Sequence, residues 1–327
     1  MSQKKNKNPE INNGMDFVTY LNSLDKKILT IIDFKKEYYG RNINFVLVEG
    51  KNDYDFFLDT EFRKKYKNKN HYINIEEIRG FLKEKEGSRN NKKIIKKTIE
   101  ASPLLRNLKS NKIYGIIDRD FEEEYPILNS RTANSLFSND THDLETLILS
   151  TDEKITSRIQ QKFKIGDLNK DLYNKALYMA YQIGCVKFCI WESSTYLEYN
   201  KNPHKFDEYF ENNELNIKNY IDYLLSFYKN KSIIDYKSIV KQLKKKGKIG
   251  IDGKFSESLD VFVKKFPEDM WEIISGHDVC HCLRFLLKKS FKFNYENIED
   301  LLVENYDMDM FRKSKLYNKI KLAGLIN

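Results

Sequence analysis

Two apolar runs that end abruptly in acid constrain this chain more than anything else in it. Phe45-Val46-Leu47-Val48 runs into Glu49-Gly50-Lys51-Asn52-Asp53, and Tyr114-Gly115-Ile116-Ile117 runs into Asp118-Arg119-Asp120. A short, continuous apolar run bounded by polar residues is the pattern of a parallel strand buried on both faces. Open α/β sheets bind ligands just beyond the carboxyl ends of such strands. Two of them would bring Glu49, Asp118 and Asp120 to one sheet edge. Asp118 and Asp120 are two apart, so an extended backbone puts both side chains on one side and Arg119 on the other. Gly50 permits a sharp turn after Glu49.

Carboxylates with no nearby Cys or His point to a hard cation, Mg²⁺ or Mn²⁺, rather than zinc. Magnesium usually meets protein through a few carboxylates and substrate through phosphate, so phosphoryl chemistry is the natural expectation.

The ordered set Val48-Glu49-Gly50-Lys51-Asn52-Asp53 and Asp118-Arg119-Asp120 resembles the TOPRIM domain of topoisomerases, primases and OLD-type nucleases. With Thr141-His142-Asp143-Leu144-Glu145 and the downstream Gly276-His277-Asp278, the chain is similar to the TOPRIM-like nuclease effectors of PARIS-type anti-phage systems. The TOPRIM resemblance covers residues 40–150, and the narrower one most of the chain. It implies a Rossmann-like, mostly parallel sheet flanked by helices, carrying a metal-dependent endonuclease. It further implies a toxin that attacks transfer RNA and works with an ABC-type ATPase partner that senses infection. Glu49 would be the catalytic glutamate, and Glu49, Asp118, Asp120 and Glu145 the metal ligands. Lys51 would hold substrate phosphate, with Asp53, Asp143 and His277 as additional site residues.

Each assignment has a plainer competitor. Glu49 reads also as a salt-bridged surface acid, and Asp118 and Asp120 as an Asx turn. Asp53 is equally the N-cap of its helix. Asp143 and Glu145 cannot share a helix face well inside a helix, and in a first turn they complement the dipole. Lys51 could simply pair with acids, and His277 could serve the core by hydrogen bonding. Glu122 to Glu124, just past Asp120, would repel a nucleic-acid backbone. Cys185 with Cys189, and His277 with His281, have the i, i+4 spacing of a Cys₂His₂ zinc site, beside Cys280 and Cys282. Cysteines on helices this apolar are ordinarily buried.

The net charge of +9 suits a polyanionic partner, although the Lys-, Asn- and Ile-rich composition is also what coding bias produces. RNA in preference to DNA is what the resemblance implies. The lysine runs Lys92-Lys93, Lys96-Lys97 and Lys244-Lys245-Lys246-Gly247-Lys248 are phosphate clamps or solvated faces. With four cysteines and no span- or signal-like apolar stretch, a cytoplasmic protein without a membrane segment is expected.

The expected organisation is a disordered stretch over 1–14 and a TOPRIM-like catalytic domain over 15–155. An all-helical domain for substrate or partner binding follows over 156–327. In the first domain the pattern predicts helices over 15–37, 53–66 and 94–108, with Pro103 bending the last. Strands are predicted to end at Glu49 and to cover 72–75, 113–118 and 133–137, with a mobile loop over 80–91. A further helix begins near His142. Beyond it, helices are predicted over 172–199, 216–228, 234–243, 271–287 and 310–325. Because a free toxin would harm its host, activity is expected to depend on a partner or on homo-oligomerisation. The alternatives are an OLD-like DNA-nicking enzyme and a non-catalytic module binding nucleic acid or the ATPase.

Overall fold

The structure is a computed structural model that describes residues 44–66, 70–76, 91–101, 113–120, 135–163, 170–193, 207–211, 214–226, 235–291 and 298–326. The expectations for 1–14, 15–37, the loop after Gly80 up to Asn90, and Glu122 to Glu124 lie outside these residues.

Four strands form one parallel sheet: β1 (Asn44–Val48), β2 (Asn70–Asn74), β3 (Ile113–Ile117) and β4 (Leu136–Ser138). Their order is β2-β1-β3-β4. The chain steps outward from β1 to β2, then returns to the other side of β1 with β3. Register aligns Val48 with both Asn74 and Ile116, so the residues after β1 and β3 emerge side by side.

Period-two alternation explains why these runs are apolar throughout. Val46, Val48, Tyr72, Tyr114, Ile116 and Phe137 belong to one large buried core. The alternate residues Phe45, Leu47, Ile73, Ile113 and Ile117 are equally buried on the other side. There, helix α3 (Asn91–Ala101) packs on β3. The approach is close because of Gly115: a Cβ there would stand 2.4 Å from Ile95 Cγ2 and 2.6 Å from Ile99 Cδ1. This contact sets the first turn of α3 beside the strand ends.

Between β1 and β2 the chain forms α1 (Lys51–Leu58) and α2 (Thr60–Tyr66), rather than one helix from 53. Asp59 divides them, its carboxylate accepting the Phe62 N–H at 3.1 Å as a new cap. After β4 come α4 (Leu144–Thr151), α5 (Ile155–Phe163) and the long α6 (Lys170–Ser193). Strands β5 (Phe210–Glu211) and β6 (Glu214–Leu215) form a small antiparallel pair, so the second half is mainly but not wholly helical. The remaining helices are α7 (Ile217–Leu225), α8 (Tyr236–Lys245), α9 (Leu259–Lys264), α10 (Met270–Ile273), α11 (Gly276–Phe291), α12 (Ile298–Asn305), α13 (Met308–Phe311) and α14 (Lys315–Leu322).

Two long helices expected here are each split. The chain goes extended at Ile274, where the next two residues bind Asp143, and Ser314 starts a new cap by accepting the Tyr317 N–H at 2.9 Å. The large core runs from the sheet into these helices without a break. Phe57 stacks on Tyr72 with centroids 5.2 Å apart and meets Phe311 edge-on at 6.3 Å. The last residues also return to the sheet, where Asn70 donates to the Leu325 carbonyl at 2.8 Å. The fold is therefore α/β, with a four-stranded parallel sheet flanked by helices.

Candidate metal centre

The strand order reverses between β1 and β3, and in open α/β sheets the crevice at such a reversal is where ligands bind. Glu49 leaves β1 and Asp118 leaves β3 at that point. The Asp118 N–H donates to Glu49 Oε1 at 2.8 Å, fixing one carboxylate against the other strand's backbone. Asn139, just past β4, donates its amide to Asp118 Oδ1 at 2.8 Å. Asp53, buried in the first turn of α1, accepts the Gly50 N–H on Oδ2 at 3.2 Å. Glu145, buried in the first turn of α4, accepts from Asn52 Nδ2 on Oε1 at 2.7 Å.

A pattern runs through these four acids. Each gives one oxygen to a protein donor from another residue, and Glu145 is drawn on by its own backbone N–H as well. The anchored oxygen sets the direction of the other, which is how a second shell prepares a hard-cation ligand.

Electrostatics make the grouping costly without a cation. Burial and then Asp120 push the Glu49 carboxyl up to about 8, against the pull of Lys92. Burial and then Glu145 push Asp53 up to about 7. Asp118 is held well above the usual carboxylate range by burial, Asp53 and Glu49. Glu145 is raised as well, again by burial, with His277 opposing. Carboxylates that desolvate and repel one another are relieved by protonation or by a bound cation.

Asp143 is different in kind. It caps α4, its Oδ1 accepting the Thr146 N–H at 2.9 Å and the Thr146 hydroxyl at 2.8 Å. Its Oδ2 accepts the Ser275 hydroxyl at 2.8 Å, and both oxygens accept the Gly276 N–H at 3.0 and 2.9 Å. Burial works against its charge, but His142, His277 and the Thr146 N–H outweigh it and hold the carboxyl below the usual range. Asp143, Glu145 and His277 each place a potential ligand atom within 4.8 Å of the others. Because the Asp143 oxygens are already spoken for, Glu145 and His277 are the available members of that trio. Asp143 fastens α11 to α4.

This fastening gives the Gly276-His277-Asp278 motif its physical sense. A Cβ on Gly276 would lie 2.3 Å from Glu145 Cβ and 2.6 Å from Asp143 Oδ1, so only glycine lets α11 come so near. His277 follows at the rim, exposed, with Glu145 raising its imidazole to about 9. Water at the rim tempers that attraction. Asp278 turns away and is held by Lys187 at 2.7 and 2.8 Å.

The expected residues thus fall into two groups. Glu145 and His277 come within ligand distance of each other, with Asp143 beside them as a fastener. Glu49, Asp53 and Asp118 lie near enough to raise one another's carboxyls but form no metal-holding trio as tight among the described residues. Asp120 stays close enough to be the strongest charge acting on Glu49, but it sits on a turn and not on an extended strand, and Lys51 does not join the acids. The extended-strand argument for Asp118 and Asp120 fails because β3 stops at Ile117 and Asp120 takes a φ of 51°. That turn directs Asp120 to Lys92, at 2.8 Å. Lys51 lies exposed on α1, paired with Asp55 at 3.4 Å and Asp300 at 3.6 Å. Asp53 is not an N-cap, since α1 begins at Lys51 with Gly50 as its cap.

The premise that no histidine lies near the acids is also overturned, because His277 arrives from residues far downstream. An imidazole in the set widens the choice of metal beyond magnesium. The four cysteines are buried and reduced, and none joins a metal-holding group among the described residues.

Sequence reasoning passed over the amides of Asn52 and Asn139, and treated Lys92 only as part of a charge run. Lys92 is buried at the first turn of α3, donating to Asp120 and to the Arg119 carbonyl at 3.3 Å. The one available signal was its place at the start of an amphipathic helix. Comparison with family models, curated proteins and solved structures finds no match for this chain. Among the described residues, no helix is long and apolar enough to cross a membrane.

Proposed function

We propose that this chain is a divalent-metal-dependent nuclease of TOPRIM type, acting as the effector of an anti-phage system. One observation carries the reading: Glu49, Asp53, Asp118 and Glu145, each with a carboxylate oxygen anchored by a protein donor, lie close enough around the reversal of the sheet order to raise one another's carboxyls. Spending this much repulsion on one spot makes chemical sense if a cation neutralises it. Carboxylate oxygens of this group would hold one or two ions, with Glu145 and His277 already within 4.8 Å of each other, and Mg²⁺ or Mn²⁺ fits the oxygen-rich set. When bound, the metal supplies an activated water and stabilises negative charge on the phosphodiester under attack.

The chain's own residues do the rest. The amides of Asn52 and Asn139 keep Glu145 and Asp118 pointed. Lys92 offsets part of the acid charge and ties the turn after β3 to α3. The Asp143 fastening keeps His277 beside Glu145. Transfer RNA as substrate, and an ABC-type ATPase as partner, follow from the motif resemblance of Glu49-Gly50, Asp118-Arg119-Asp120 and the segment from Thr141 to Glu145.

The test is cleavage of transfer RNA, single-stranded RNA and plasmid DNA by the full chain. Reactions contain Mg²⁺, Mn²⁺ or chelator and compare the native sequence with Glu49→Gln. The same pair is also expressed in cells with a candidate ATPase partner and an infection trigger. Metal-dependent cutting that Glu49→Gln abolishes supports the proposal, and the substrate cut decides between RNA and DNA. No cutting in either format, with the variant indistinguishable, refutes it.

A further inference from the structure

The chain's positive charge is not evenly spread. The 19 residues from Tyr236 to Lys254 hold seven lysines and one acid, Asp252, giving +6 of the chain's +9. This segment is α8 followed by a turn closed by the Ile249–Phe255 bridge. Helix α8 buries Ile239 and Leu243 and contains no acid, so its outer face is lysine. Successive lysines there, Lys237, Lys241 and Lys245, are four residues apart, about 6 Å along the helix.

The lysines do not all have the same work. Lys246 pairs with Glu192 at 2.9 Å, and Lys248 with Asp269 at 2.6 Å. Lys244 donates to the Ile251 carbonyl at 3.2 Å and so holds the turn. Lys241, Lys245 and Lys254 are exposed and form no ion pair among the described residues. At the tip, Ile251 is 97% exposed, the most exposed large apolar side chain described. A face kept only for solubility has no use for an isoleucine pushed fully into water. Behind the turn lies a cavity of about 150 Å³ with Tyr178, Tyr181, Phe255, Lys246 and Lys248 in its walls. It is too small for a typical small-molecule site, which begins near ~300 Å³. Tyr178 and Tyr181 there are buried and support the turn, so the free lysines and the apolar tip are what the surface offers a nucleic-acid strand.

We propose that α8 and the turn after it form a nucleic-acid docking ridge, with Lys241, Lys245 and Lys254 on phosphates and Ile251 against a base. The choice of ligand rests on the nuclease reading, but the ridge is tested by binding alone.

Helix α6 links this ridge to the acid centre. Its Lys187 grips Asp278, next to His277, and its Glu192 grips Lys246, five residues or about 7.5 Å further along the axis.

The experiment is fluorescence anisotropy of a labelled single-stranded RNA and a labelled RNA stem-loop with the full chain in EDTA, across a salt series. Four proteins are compared: the native chain, the ridge triple Lys241→Glu/Lys245→Glu/Lys254→Glu, a control triple Lys218→Glu/Lys288→Glu/Lys313→Glu, and Ile251→Ser. All six positions are exposed and both triples change net charge equally, so folding and overall charge are matched. The ridge triple should weaken binding about tenfold or more and flatten the log–log salt slope by about 2, three phosphates at ~0.7 each. The control triple should change affinity less than about threefold. Ile251→Ser should weaken binding without altering the salt slope.

Equal losses in the two triples, or native binding by the ridge triple, overturn the ridge. In the second case an acidic protein partner becomes the better occupant. Cleavage with an unaffected ridge triple removes only this proposal. RNA binding that depends on the ridge, with no metal-dependent cutting, removes only the nuclease reading.

Discussion

Substituting Gly276 by alanine sets two physical rules against each other. Gly276 opens α11, and helix propensity alone credits alanine with up to about 1 kcal/mol over glycine in a helix interior. The packing says the reverse. The new Cβ would stand 2.3 Å from Glu145 Cβ, 2.6 Å from Asp143 Oδ1 and 2.7 Å from the Thr146 nitrogen, while ordinary contact begins near 3.4 Å. Backbone and a Cβ cannot swing aside as a long side chain can, so α11 must withdraw by about 1 Å. That would stretch the Gly276 N–H bonds to Asp143, now 2.9 and 3.0 Å, beyond useful length. Overpacking costs about 1–3 kcal/mol, and a lost bond to a charged group about 1.5–3. After a propensity credit of about 1 kcal/mol, the net loss is about 1.5–5 kcal/mol. The melting temperature followed by circular dichroism should drop by roughly 3–20 °C, at ~2–4 °C per kcal/mol for a chain of this order. Mn²⁺ affinity should fall with it, because His277 moves away from Glu145. A variant that melts at or above the native temperature, with Mn²⁺ affinity unchanged, refutes the fastening argument.

Glu49 and Asp53 titrate near 8 and 7 in the folded chain, against 4.5 and 3.8 otherwise, so the folded state holds extra protons between those values. Stability of the metal-free protein should therefore fall as pH rises from about 5 to 8, and Mn²⁺ should restore more of it at pH 8 than at pH 5. A flat melting profile over that range, with equal metal effects, would contradict the assignment. Metal uptake at pH 6.5 should expel protons, read as a dependence of calorimetric heat on the buffer's ionisation enthalpy. Glu49→Gln should weaken Mn²⁺ binding yet raise the metal-free melting temperature at pH 8, since it removes repulsion. Asp143→Asn should do the opposite in stability, costing about 1–3 kcal/mol through a weakened cap and poorer acceptors. If the two substitutions behave alike, ligand and fastener have been wrongly distinguished.

The strands were readable because β1 and β3 are buried on both faces, and such strands write themselves as continuous apolar runs. Glu49 and Asp118 were readable for the same reason, being the first acids after those runs. Glu145 followed from its place in the first turn of the next helix. What local pattern could not carry was the turn at Asp120, where a positive φ breaks the period-two rule. Nor could it show that Lys51 faces Asp300, a partner 249 positions away. His277 reaches the acids only because Asp143 binds the chain just before it, and no periodicity in either segment encodes that meeting. The breaks at Asp59 and Ser314 are side-chain caps inside otherwise helical patterns, which hydrophobic spacing does not register. Lys92 was hidden in plain sight, since a lysine run looks the same whether its members are solvated or buried.

The central claim is that the acids after β1 and β3 hold a divalent cation. Crystals of the full chain soaked in Mn²⁺ and measured at the manganese absorption edge test it directly. The account predicts anomalous density bounded by Glu49, Asp53, Asp118 and Glu145, reduced or lost in Glu49→Gln. An edge of the sheet with no anomalous density at millimolar Mn²⁺, or density that ignores the substitution, would contradict it.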